Sequence, residues 1–191
     1  MAFEKEILQQ LQDSISTKQK VIASCLPSIK VAAEICIRAY QQGHKTLWCG
    51  NGGSAADCIH MAAELVARYK RERKGMPAIA LMENVSSLTA WSNDYNYESA
   101  FARQVEAFGQ TGDVLIGITT SGTSKNVVQA WEKAAAMGIM TIALTGQKGE
   151  QIRDKVDVLI AVPSLETPRI QESHLVIEHI LCDLIEASFV G

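Results

Sequence analysis

Gly112-Asp-Val-Leu-Ile-Gly-Ile-Thr-Thr-Ser-Gly-Thr-Ser124 is the stretch on which the fold turns. Its first half, Val114–Ile118, is continuously apolar rather than alternating, as expected for a strand covered on both faces. Its second half puts five hydroxyls and one glycine into six residues where that strand ends. Four other short apolar runs match the first half: Thr46-Leu-Trp-Cys49, Pro77-Ala-Ile-Ala-Leu81, Met140-Thr-Ile-Ala-Leu144 and Val156-Asp-Val-Leu-Ile-Ala-Val162. Helical periodicity fills the gaps, over residues 54–69, 98–109, 124–137, 147–153 and 169–188. Such alternation with short connections predicts a doubly wound α/β fold, a mostly parallel five-stranded sheet flanked by helices.

Residues 1–43 read differently. Phe3, Ile7, Leu8, Leu11, Ile15 and Ile22 recur near helical spacing, with Glu, Gln and Lys between them. Pro27 suits the first turn of a second helix carrying Ile29, Val31, Ala32, Ile35, Cys36 and Ala39, with Gly43 as its C-cap. The expectation is an N-terminal helical pair in front of an α/β core at 44–191, the whole chain being one domain. The pair either packs on its own core or on another subunit.

Composition narrows the function. Eighteen basic residues face 21 acidic ones, a net charge of -3, unlike the basic excess of a general nucleic-acid binder. No apolar run approaches the ~18 residues of a membrane span, and the start has no secretory pattern. Five scattered cysteines without a Cys-x-x-Cys pair do not make a disulfide framework or a zinc ribbon. A cytoplasmic enzyme or binding protein with no nucleic-acid or membrane partner is expected.

Ligands of such sheets bind beyond the carboxyl ends of the strands. Two strands end there in unusual loops, Gly50-Asn-Gly-Gly-Ser54 and Thr119-Thr-Ser-Gly-Thr-Ser124, each leading into a helix. Hydroxyls, bare amides and the positive end of a helix dipole suit a phosphate; a turn with an N-cap uses the same residues. Neither loop is a nucleotide P-loop or a dinucleotide fingerprint. On the following helix His60 and Glu64 are four apart, hence on one face. That pair could hold a divalent metal or act as acid and base, while a partly buried, hydrogen-bonded imidazole is the plainer account. Arg68 continues the stripe, within the basic run Arg68–Lys74 that otherwise reads as a solvated helix end. In the last helix Gln171, Glu172, His174 and Glu178 fit a wet face for the most part. His179, flanked by Val176, Ile180 and Asp183, suits a buried or interface position. Ser92-Asn-Asp94 reads as a turn.

Taken together, Gly50-Asn-Gly-Gly-Ser-Ala-Ala-Asp57, Ala63-Glu-Leu-Val-Ala-Arg-Tyr69, Asn93-Asp94, Gly112–Ser124, Ile142-Ala-Leu-Thr-Gly146 and Arg169-Ile-Gln-Glu-Ser-His174 resemble the sugar isomerase (SIS) domain family, and within it the phosphoheptose isomerases. The resemblance spans nearly the whole chain. It implies a cytoplasmic homotetramer, with active sites between subunits, that isomerises a seven-carbon sugar phosphate. By position Asn51, Gly52, Gly53, Ser54, Asn93, Asp94, Thr119, Thr120, Ser121 and Ser124 match substrate-binding residues, with Glu64, Arg68 and Gln171 joining them. Glu64 and His179 match the acid/base pair, and His60, Glu64, Gln171 and His179 the ligands of a zinc ion. Gln171 and His179 are eight residues apart, about 12 Å along a straight helix. Either Gln171 precedes that helix or the ligands come from different subunits. The sequence departs from the family at Ala55-Ala56, at Thr119 and Thr123, and at Pro168, where a carboxylate is common. A competing resemblance is to the DnaA initiator-associating protein, a non-catalytic SIS relative. It lacks counterparts of Glu64 and His179, which a pure binding protein has no chemical reason to keep.

Overall fold

Val114–Ile118 lies at the middle of the sheet. The computed structural model describes residues 2–190. Its strands are β1 (Thr46–Gly50), β2 (Ala78–Ala80), β3 (Val114–Thr119), β4 (Met140–Gly146) and β5 (Val158–Val162). They pair in the order β2-β1-β3-β4-β5, every pairing parallel. One register line runs Trp48, Ile116, Ile142, Val158. All of β1 and β3 is buried, which is why those runs are apolar without alternation.

The helices are α1 (Ala2–Gln41), α2 (Gly53–Val66), α3 (Val85–Asp94), α4 (Ala100–Phe108), α5 (Lys125–Ala136) and α6 (Thr167–Ala187), with a 3-10 helix at Gln147–Lys155. α2 packs on β1 and β2 and beside α6; α5 packs on β3 and β4 and beside α4. The doubly wound sheet is therefore as expected, with α2, α4, α5, the 3-10 helix and α6 within a few residues of their predicted spans, while α3 was not foreseen.

Three readings change. The N-terminal pair is one continuous helix of 40 residues with Pro27 inside it. Proline there removes the bond to the Ala23 carbonyl. Cys25, Ile29, Ala32, Ala33 and Cys36, on both sides of the proline, are nevertheless buried, and Cys25 Sγ lies 3.4 Å from the Ala161 carbonyl of β5. Packing on β5 and α6 outweighs the local loss. Second, Ser92-Asn-Asp94 is the end of α3, not a separate turn; the Asn84 side chain starts that helix by accepting from Ser87 N at 3.0 Å. Third, α2 stops at Val66, so the basic run is not a helix end. It folds back as a loop onto α6, with the Arg73 side chain 2% exposed.

Two surfaces lack cover. Phe3, Ile7, Leu8, Leu11 and Ile15 on α1 are 54–82% exposed, and no residue of α3 is buried. No described helix is long and apolar enough to cross a membrane.

Candidate active site

The strand order reverses between β1 and β3, and both glycine- and hydroxyl-rich loops leave the sheet at that crevice. In the first, Gly52 has φ +57°, a left-handed turn open to glycine, and starts α2. Ser54 is buried in the first turn of α2. Asn51 ties the two loops: it exchanges hydrogen bonds with Asn126 of α5 at 2.8–2.9 Å, and its Oδ1 accepts from Tyr97 Oη at 2.7 Å.

The second loop is organised by its own hydroxyls. Thr119 Oγ1 lies 2.9 Å from Ser124 Oγ and 3.3 Å from Ser121 Oγ, and Ser121 Oγ accepts from Thr123 N at 3.1 Å. Gly122 has φ +72°, and a Cβ there would meet Gly149 Cα at 2.7 Å. Ser124 caps α5 by position without a side-chain capping bond, so its hydroxyl is not spent on the helix end. Thr120 and Ser121 are half-buried. Hydroxyl oxygens thus gather at a helix N-terminus, chemistry that suits an anion such as phosphate. Asn93 and Asp94 end α3 exposed, bonded to each other at 3.0 Å. The connection that follows them carries Tyr97, whose hydroxyl reaches Asn51.

Two turns along α2, His60 Nε2 and Glu64 Oε1 are 3.0 Å apart. α2 and α6 lie side by side in the same direction, as Gly53 near Gln171, Met61 near Cys182 and Tyr69 at Glu186 show. That alignment brings His179 to His60, ring centroids 5.2 Å apart and nearly perpendicular. Donor atoms of His60, Glu64 and His179 all lie within 4.8 Å of one another. Two imidazoles and a carboxylate at that spacing are a donor set that fits a divalent metal such as zinc.

Gln171 does not join them within one chain. It lies inside α6, so it does not precede the helix, and a Cβ on Gly53 would sit 3.0 Å from its Nε2. It borders the first loop instead. Arg68, beyond the end of α2, pairs with Glu72 at 3.2 Å and leaves the His60–Glu64 stripe. His174 and Glu178, expected on the wet face of α6, are fully buried because that helix is enclosed by α1, α2 and the sheet. Burial brings the His174 imidazole down to about 4; its Nε2 faces the Thr145 carbonyl at 3.0 Å. Burial likewise raises the Glu178 carboxyl to about 8, with Asp57 adding to the effect.

Other residues of the site escaped the sequence reading. Burial raises the Asp57 carboxyl while His60 and His179 pull it back, which places Asp57 beside the cluster. Its position three before His60 on α2 was the available signal. Tyr69 stacks on His179, centroids 5.5 Å apart, and nothing in the sequence announced this. All five cysteines are free and buried. Burial raises every one of their thiols, so none is set up as a nucleophile.

A parallel sheet with a hydroxyl-rich loop at its switch point and a His-Glu-His cluster on the neighbouring helices is the arrangement of a small-molecule enzyme of the doubly wound class. The SIS domain model matches residues 9–146. A phosphoheptose isomerase of a Nitratiruptor species is 53% identical over 186 residues, 97% of each chain. The structure of phosphoheptose isomerase from Neisseria gonorrhoeae superposes with a TM-score of 0.90 at 39% identity, covering 97% of this chain and 99% of that one. That of a phosphoheptose isomerase from Francisella tularensis does so at 0.93 and 36%, covering 98% and 100%. The chain belongs to the SIS domain family, among its phosphoheptose isomerases.

Proposed function

We propose that the protein interconverts D-sedoheptulose 7-phosphate and D-glycero-D-manno-heptose 7-phosphate, the first step towards ADP-heptose, in the cytoplasm. The convergence of His60, Glu64 and His179 beyond a phosphate cradle carries this reading. Ketose–aldose conversion moves a proton between C1 and C2 through an enediol. The cradle residues Asn51, Gly52, Gly53, Ser54, Thr119, Thr120, Ser121 and Ser124 hold the phosphate, and that fixed end orients the carbonyl end. Glu64 takes the proton from C1, and the enediol collapses as the proton returns at C2. His179 gives a proton to the carbonyl oxygen and recovers one from the neighbouring hydroxyl. Zinc held by His60, Glu64 and His179 supplies Lewis-acid polarisation of the substrate oxygens.

The site is shared between subunits of a homotetramer. Gln171 lies with the cradle, about 12 Å along α6 from His179, so a common centre is reached when Gln171 of the partner subunit meets this cluster. Bare apolar residues on α1 and the unburied α3 are the surfaces a tetramer would cover. Arg68, Asn93 and Asp94, exposed here, are substrate contacts completed by that assembly.

The test is NMR of the protein with sedoheptulose 7-phosphate in deuterated water, with and without chelator. An aldose signal carrying deuterium at C1 or C2, lost on chelation and restored by zinc, is expected. No conversion and no exchange by the folded, zinc-supplied protein would refute the isomerase and favour a binding protein.

A further inference from the structure

Imidazoles in metal and catalytic sites are usually oriented by a hydrogen bond from the second ring nitrogen to a carboxylate or carbonyl. Among the described residues His179 has no such bond; its ring neighbours are His60, edge-on, and Tyr69, stacked at 22°. Of the two, Tyr69 is the one that lies face to face with the imidazole. Tyr69 lies beyond the end of α2, in a segment with no regular structure to fix it.

Glu186 supplies that fixation. It is completely buried in the last turn of α6. Its Oε1 accepts from Tyr69 N at 2.8 Å, and its Oε2 from Lys70 N at 2.7 Å and Arg71 N at 2.8 Å. Arg73 Nε lies 3.3 Å from Oε1. Three successive amides converging on one carboxylate form an anion nest, with the protein's own side chain as the anion. Burial alone would raise this carboxyl, but the three amides and Arg73 hold it below its ordinary value. Asp183 adds an outer tie, 2.7 Å from Arg71 Nη1. His179, Asp183 and Glu186 are spaced four and three apart, so one stripe of α6 carries both the reactive ring and the groups that press Tyr69 upon it.

We infer that Glu186 is a positioning residue: by templating the backbone at 69–71 it seats the Tyr69 ring on His179 and sets the imidazole's orientation in the cluster. The catalytic consequence rests on the isomerase reading above; the packing claim does not. The experiment compares Glu186→Gln, Tyr69→Leu and Tyr69→Phe with the parent, all as intact zinc-supplied protein. The His179 ring signals are assigned in a carbon–proton spectrum by their loss in His179→Gln. A glutamine amide turns N–H groups towards backbone N–H groups, so the nest opens. Glu186→Gln and Tyr69→Leu should then shift the His179 signals to similar positions as the ring current is lost. Both should lower kcat about tenfold with KM changed less than about threefold, and Tyr69→Phe should recover signals and rate. Parent-like His179 signals in Tyr69→Leu would overturn the proposal, and this holds even where Glu186→Gln does not fold. So would parent-like signals in a folded Glu186→Gln. Shifted signals with no isomerase activity in the parent would leave the packing claim standing and remove the function instead.

Discussion

At the scale of single residues, the acid/base assignment gives the sharpest expectation. Glu64→Gln keeps size and a hydrogen bond to His60 but no longer accepts a proton. Its kcat should fall by about 10²–10⁴ with the fold retained, measured by steady-state isomerisation and circular dichroism. The motif residues of the two loops, and the His60–Glu64 pair at i, i+4, were legible because their chemistry is carried by residue type and helical spacing. Tyr69 and Glu186 were not. What makes both matter is a neighbour far away in sequence, such as Glu186 accepting from Tyr69 N. A charged residue late in an amphipathic helix looks like a solvated one until the structure encloses it. His174 and Glu178 were misjudged for that reason.

At the scale of elements, α6 carries two groups with opposite responses to pH. His174 is held neutral, with its value lowered from 6.5 to about 4, so the unfolded chain binds the extra proton between those limits. Its contribution is present above pH 6.5 and is lost as pH falls towards 4. Glu178 is raised from 4.5 to about 8, so the folded chain holds its proton more tightly. Its contribution is present below pH 4.5 and is lost as pH rises towards 8. Between 4.5 and 6.5 the two slopes oppose; from 6.5 to 8 only Glu178 acts, costing about 2 kcal/mol. Denaturant unfolding should show stability declining across that upper window. Glu178→Gln should flatten the decline. α1 allows a second test. Pro27→Ala restores the N–H that the helix lacks, and should raise stability by about 1–3 kcal/mol in the same assay. Sequence punctuation predicted a break at Pro27. Tertiary burial of Cys25 and Ile29 on either side overrode it.

At the scale of the whole molecule, the proposed sharing of the site would make activity a property of the assembly. Glu64→Gln and Gln171→Ala should each be inactive alone; if Gln171 serves a neighbour's cluster, refolding an equal mixture should restore about a quarter of the sites. No recovery would place every contribution within one chain. The parallel pairing of the sheet was legible from the alternation of runs, since parallel strands need crossover helices. How α2 and α6 align was not, because nothing local to either helix specifies the other. The long first helix has a consequence for biosynthesis. Its inner face rests on β5 and α6, through Cys25 to Ala161 and the Arg169 guanidinium to the Gln10 carbonyl. Those partners lie 136 and 159 residues further along the chain. The helix therefore waits for its seat with its apolar residues bare while the sheet is made. Slow or paused elongation through residues 158–187 would lengthen that wait, and the nascent helix is where a chaperone would have to hold the chain.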